Sequence, residues 1–75
     1  MGKQYDITAS FFPLAFKYVR VVDNDGKIYE GQVIDIGRAD DNDSGEDSIG
    51  IETRPDIRFG YDLDRSEIVS IEIIE

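Results

Sequence analysis

The chain has 75 residues, no cysteine and no histidine, and 17 acidic against 8 basic residues, for a net charge of −9. This composition excludes disulfide staples, thiolate zinc sites, cysteine nucleophiles and the histidine that most often serves as general base or metal ligand. It leaves room for one domain with a small core, and it handicaps any phosphate-binding surface, because such surfaces draw on Lys and Arg.

Other classes fall away on pattern. No apolar run approaches the roughly 18 residues of a membrane span, and Met1-Gly2-Lys3 is not followed by an apolar signal core. The expected location is cytoplasmic, away from membranes. The basic residues Lys3, Lys17, Arg20, Lys27, Arg38, Arg54, Arg58 and Arg65 are dispersed and form no linear basic patch. The acidity serves solubility, a cation site or a basic protein partner.

Residues 1–16 crowd Phe11, Phe12, Leu14 and Phe16 into six positions. Ile7, Phe11 and Leu14 fit one helical face, but Pro13 stops a long helix from running through. The expectation is a short helix or turn-rich plug over an open end of a sheet; the competing reading is an exposed aromatic docking patch.

Residues 17–75 read as five strands. Lys17 to Asp23 and Lys27 to Ile36 flank Asp25-Gly26, a strong hairpin signal. In the first strand Val19 and Val21 point one way, and Tyr18, Arg20 and Val22 the other. Gly31, inside the long second strand, marks a bend or a close approach of backbone. The acids of the turn Asp23-Asn24-Asp25-Gly26 are those that turn chemistry requires. Ser48 to Thr53 alternates as a third strand. Arg54-Pro55-Asp56 is a turn, and in a fourth strand Ile57, Phe59, Tyr61 and Leu63 face inward. After a tight turn at Asp64-Arg65-Ser66-Glu67, Ile68 to Ile74 forms the fifth. Val69, Ile71 and Ile73 are expected on one of its faces, Ile68 and Ile74 on the other. A strand apolar on both faces is covered on both, so Ile68, Val69 and Ile74 are the candidate interface residues.

The polar excursion Gly37 to Asp47 is the one ligand-like loop. Asp40-x-Asn42-x-Ser44-Gly45 matches the opening of a calcium loop, in which side-chain oxygens at alternate positions converge and a glycine allows the sharp turn. The match then breaks: the closing position falls on Ile51, and Glu52 comes one residue late. Asp40, Asn42, Ser44 and Glu46, with Asp47 beside them, are the candidate ligands of a non-standard calcium site. The competing reading is an acidic solvated loop. No other cofactor is implied.

The hairpin and second strand, Val19-x-Val21-x-x-Asn24-Asp25-Gly26-Lys27-x-Tyr29-x-Gly31-x-Val33, resemble the first half of the Sm-like fold. The run Leu63-x-x-Ser66-Glu67-Ile68-x-Ser70-Ile71-Glu72-Ile73 resembles the final turn and strand of such barrels. With the loop Asp41 to Ile49, the pattern is similar to small uncharacterised bacterial proteins of Sm-like or SH3-like type, over about residues 17 to 74. The resemblance implies a five-stranded, strongly bent antiparallel barrel with an N-terminal helix, rings built by edge pairing of the fourth and fifth strands, and RNA as a ligand. Asp40-Asp41-Asn42 matches the family's RNA-binding loop only loosely and Arg65-Ser66 lacks the glycine of its second motif, so no RNA-contacting residue is assigned. Tyr18, Tyr29, Phe59 and Tyr61 could stack on bases if exposed.

No catalytic constellation or Gly-rich phosphate loop is present. The sequence supports an all-β, five-stranded Sm-like/SH3-like barrel that acts as a non-enzymatic module for protein–protein interaction or self-association. RNA binding is the alternative and weak calcium binding the second alternative.

Overall fold

The computed structural model describes residues 2–40, 42–43, 45–54 and 59–74. Six antiparallel strands form one sheet: β1 (Lys3–Tyr5), β2 (Tyr18–Asp23), β3 (Ile28–Gly37), β4 (Ser48–Arg54), β5 (Phe59–Asp64) and β6 (Ile68–Ile73). Their spatial order is β1-β6-β2-β3-β4-β5. Short 3₁₀ turns occupy Phe12–Leu14 and Arg65–Glu67, and no α-helix occurs among the described residues. No helix there is long and apolar enough to cross a membrane.

The β2–β3 hairpin forms where Asp25-Gly26 places it. Gly26 takes the left-handed conformation, φ 82°, which costs glycine little. Asp23 accepts hydrogen bonds at Oδ1 from the backbone N–H groups of Asp25 and Lys27 (2.9 and 2.8 Å), closing the turn from below. In β2, Val19 and Val21 are fully buried while Tyr18 and Arg20 face solvent, so the alternating pattern orients the strand as expected.

β3 bends. Its Gly31 lies opposite Val19 on the core side, and a Cβ there would run into the carbonyl of Glu52 and approach Ile51 Cγ2 at 3.0 Å. Three residues on, the β3–β4 register shifts between Val33 and Asp35, leaving Ile34 as an extra residue. Such a bulge kinks a strand and increases its twist. The β4–β5 register shifts again between Glu52 and Arg54. The curl brings Tyr29 of β3 against Tyr61 of β5, although β4 lies between these strands in the sheet order.

β6 corrects the expected facing of the last strand. Val22 pairs with Ser70 and Asp23 with Ile68, so Val69 is the extra residue of a bulge. The alternation therefore changes phase. Ile68 joins Ile71 in the core, with Ile73 packed against it, while Val69 turns to solvent at 57% exposure. Ile68 and Ile74 do not share a face.

The expected closed five-stranded barrel does not form. The sheet is open, with β1 and β5 at its ends. The reason lies in the N-terminal segment, expected as a helical plug. Lys3, Gln4 and Tyr5 pair with Ile73, Glu72 and Ile71, so β1 takes the outer edge of β6. That edge is the one a closing strand, or a neighbouring subunit in the implied ring, would need. The rest of the segment serves partly as a plug: Phe11 and Leu14 are buried with Val19, Val21, Val33, Ile49, Ile51, Leu63, Ile68 and Ile71. Each fully buried side chain of this kind contributes roughly 1.5–3 kcal/mol. Pro13 sits inside the 3₁₀ turn, which ends after one turn. Phe12 and Phe16 point outward. The expected turn residues Pro55 and Asp56, with Ile57 and Arg58, lie outside the described residues.

Candidate functional site

The acidic loop between β3 and β4 is held by the chain's own donors. Asp40 makes a surface pair with Arg38, Oδ1 to Nε at 3.7 Å. Asn42 donates from Nδ2 to the Glu46 carbonyl at 2.7 Å and to Ser48 Oγ at 3.1 Å. A carbonyl only accepts, so the Asn42 amide must face it with nitrogen. The Glu46 carboxylate accepts from the Ser66 N–H at 2.7 Å and the Ser66 hydroxyl at 3.0 Å. Ser44 lies outside the described residues. Asp40, Asn42 and Glu46 are thus spread over three separate interactions. Among the described residues no group of three or more acidic side chains is gathered as a metal site would need.

Arg65 ties this loop to the N-terminal segment. Its guanidinium donates to the carbonyls of Ile7 and Ala9 and to Asp47 Oδ2, the last two at 2.9 and 3.0 Å. It also stacks over the Phe11 ring, 4.2 Å from the centroid. Asp47 accepts the Ala39 N–H at 2.9 Å through its other oxygen, and its main-chain carbonyl accepts from Arg65 N–H. The bond from Arg65, then that from Ala39, holds the Asp47 carboxyl below the usual carboxylate range. Nothing in the sequence spacing announces Arg65, because its partners lie 18, 56 and 58 residues away.

The candidate interface residues separate. Ile68 is core, Val69 is exposed at the hairpin end of β6, and Ile74 is exposed at the opposite end. Around Ile74 the backbone gathers further exposed apolar residues. Ile74 N–H donates to the Tyr18 carbonyl at 3.0 Å, and Phe16 N–H donates to Val33, next to Ile34, at 2.7 Å. Phe16 is 70% exposed and sits at φ 64°, a left-handed conformation that side chains other than glycine rarely adopt. Gln32 Nε2 donates to the Phe16 carbonyl at 3.1 Å and helps hold it there. The sequence flagged this aromatic segment as core plug or docking patch; the structure divides it, Phe11 inward and Phe16 outward.

Between this end and the hairpin, the outer face carries a charged ladder. Arg20 pairs with Glu30 on one side and with Glu72 on the other, the latter at 3.0 Å.

A third cluster lies on the inner rim. The rings of Tyr29 and Tyr61 stand 5.0 Å apart, tilted by 56°. Lys27 Nζ lies 5.4 Å from one centroid and 5.6 Å from the other. Tyr29 donates its hydroxyl to Asp23 Oδ2 at 3.1 Å. Burial raises the Tyr29 phenol, and the Asp23 hydrogen bond and nearby negative charges raise it further. Burial also works to raise the Asp23 carboxyl, but the N–H groups of Lys27 and Asp25 and the Tyr29 hydroxyl outweigh it and hold the group low. Of the aromatics considered for base stacking, Tyr29 and Tyr61 come together here and Tyr18 faces solvent elsewhere. No cavity opens among the described residues.

Comparison of this chain with protein-family models, with known proteins and with solved structures finds no match in any of the three.

Proposed function

We propose that the chain is a non-catalytic binding module, a bent sheet of Sm-like or SH3-like kind, that associates with a second copy of itself or with a partner protein. The associating surface is the end of the sheet that carries Phe16, Tyr18 and Ile74. The observation that carries this reading is Phe16: a phenylalanine 70% exposed and fixed in a left-handed backbone conformation. That conformation costs roughly 1–2 kcal/mol for a residue with a side chain. The fold gains little packing from the ring in return, so the ring is spent on what lies outside the fold. The Asp25-Gly26 hairpin, the glycine inside β3 and the short turn before β6 are the features that support this kinship.

The test is solution mass by light scattering at two protein concentrations, on the wild type and three variants. Phe16→Gly relieves the strain and removes the ring. It is expected to fold at least as stably as the wild type and to lower the mass of the assembly. Ile74→Lys is expected to do the same by placing charge in the surface. Val69→Lys, at the other end of β6, is expected to leave the mass unchanged. Screening the −9 charge with salt is expected to raise the mass, since like-charged copies repel less. A wild type that stays monomeric at both concentrations overturns self-association, and a mass lowered only by Val69→Lys moves the interface to the hairpin end.

A further inference from the structure

We infer that the Tyr29–Tyr61 pair is a binding site for an alkylammonium group, the lysine side chain of a partner protein, and that Lys27 occupies it in the free chain. The inference begins with the geometry. Two rings whose centroids are 5.0 Å apart and whose planes are tilted by 56° form an open V. A cation placed between them meets both negative ring faces at once. Lys27 Nζ stands at nearly equal distances, 5.4 and 5.6 Å, from the two centroids. The chain's own ammonium therefore shows which chemistry the V accepts.

The surroundings favour a cation as well. Asp23 lies behind Tyr29 and keeps its carboxylate ionised through its hydrogen bonds to the hairpin N–H groups and the Tyr29 hydroxyl. Glu67 is among the negative charges that raise the Tyr29 phenol. Glu67 is held beside the turn, where its carbonyl accepts the Asn24 N–H at 2.9 Å. Both rings are only partly buried, and Lys27 itself is exposed, so its side chain can leave without opening the core. Its backbone is pinned to Asp23 Oδ1, which keeps the hairpin in place when the side chain swings out. The whole chain, at −9, draws basic partners.

Lys27 thus acts as a competitor tethered at the site. An exposed cation–π contact of ordinary strength keeps it in place most of the time, so removing it strengthens binding of an external ammonium about three- to sixfold. The site lies on the inner rim, apart from the Phe16 end, and Lys27→Ala leaves that end intact. The two readings therefore fail separately.

The experiment is a two-dimensional NMR titration of the full chain with N-acetyl-lysine amide. N-acetyl-norleucine amide serves as the uncharged probe of similar shape, and sodium chloride at matched ionic strength as the salt control. In the wild type the lysine probe is expected to shift the Lys27, Tyr29 and Tyr61 signals, and the norleucine probe and the salt are not. Lys27→Ala is expected to bind the lysine probe about three- to sixfold more tightly, and Tyr61→Leu to lose it while its spectrum stays dispersed. Lys17→Ala, which removes an exposed lysine remote from the rings, is expected to match the wild type. Equal shifts from the lysine and norleucine probes, or from salt alone, overturn the inference. So does a Lys27→Ala variant that binds no better than the wild type.

Discussion

Replacing Arg65 with alanine tests whether one side chain fastens the N-terminal segment and the acidic loop to the sheet. Arg65 donates to the carbonyls of Ile7 and Ala9 and to Asp47, and stacks on Phe11. A hydrogen bond to a charged donor contributes about 1.5–3 kcal/mol when shielded. Here the carbonyls regain some water in the variant, so each bond is taken at about 1 kcal/mol, the centre of the general range for a net contribution. Stacking on the ring adds about 0.5–1 kcal/mol. The Asp47 pair is left out of the sum, because its partners keep 28% and 36% of their side-chain exposure. The loss for Arg65→Ala is then about 2.5–3 kcal/mol. In a domain of this size that is a fall in Tm of about 10–20 °C. Arg65→Lys keeps the charge but loses the planar fork and the stacking, and is expected to recover less than half. The assay is urea and thermal unfolding by circular dichroism, with amide exchange at Ala39, whose N–H rests on Asp47, as the local readout. Arg65→Ala unfolding within about 0.5 kcal/mol of the wild type, the range of an ordinary surface substitution, would refute the reasoning.

Two further outcomes follow from the same structure. Gly31→Ala is expected to cost about 1–3 kcal/mol in urea unfolding, the usual penalty for a forced shift in a packed interior. The new Cβ meets backbone at Glu52, which cannot swing aside as a side chain tip could. A variant as stable as the wild type would mean that β3 and β4 do not approach so closely. Asp47→Asn concerns pH. The folded carboxyl lies below its ordinary value, so its contribution is fully present above the ordinary aspartate value and is lost as pH falls through the lowered one. The stability gap between wild type and Asp47→Asn is therefore expected to be widest near neutral pH and to close in acid. A gap that stays constant across an acid titration would remove Asp47 from the account.

Much of the sheet was legible because its signals are local. Asp25-Gly26 marks the hairpin by turn chemistry alone, and Val19/Val21 and Tyr61/Leu63 follow strict alternation into the core side. What escaped depends on non-local geometry. The bulge at Val69 inverts the phase of Ile68, yet Ile-Val-Ser-Ile reads as an uninterrupted strand in either register. The same holds for Ile34 in β3. β1 is three residues, Lys-Gln-Tyr, too short and too polar to show a period of two; its pairing depends on the open edge of β6. The oxygen-rich loop illustrates a different limit. Spacing showed that Asp40, Asn42 and Glu46 could converge, but it could not show that Ser66, on a neighbouring element, takes both oxygens of the Glu46 carboxylate. The Tyr29–Tyr61 contact joins residues 32 positions apart and needs the curl at Gly31 to exist at all.

The distribution of committed and uncommitted groups constrains where function can lie. The chain is strongly acidic, with a net charge of −9. Yet Asp6, Asp23, Glu46, Asp47 and Glu67 each accept hydrogen bonds that close a turn or loop, and Glu30 and Glu72 flank Arg20. These carboxylates are distributed along the fold as local braces, and each brace uses oxygens that a shared ligand would need. The apolar side chains show the opposite balance. A domain this small is held by a net stability of only about 5–15 kcal/mol, and each large apolar side chain brought inside contributes roughly 1.5–3 kcal/mol. Even so, Phe12, Phe16, Tyr18, Ile34 and Ile74 remain outside a core that already holds Phe11 and Leu14 from the same segment. Contact with another apolar surface would remove part of this exposed area from water, and Phe16 already has its backbone set, so little ordering entropy would remain to be lost there. In the proposed reading, stability and association pull in opposite directions at Phe16, and this is why Phe16→Gly is the informative substitution. At this left-handed position glycine relieves strain whatever the ring serves, so it is the mass of the assembly, and not stability alone, that tells a ring serving association from one serving the fold.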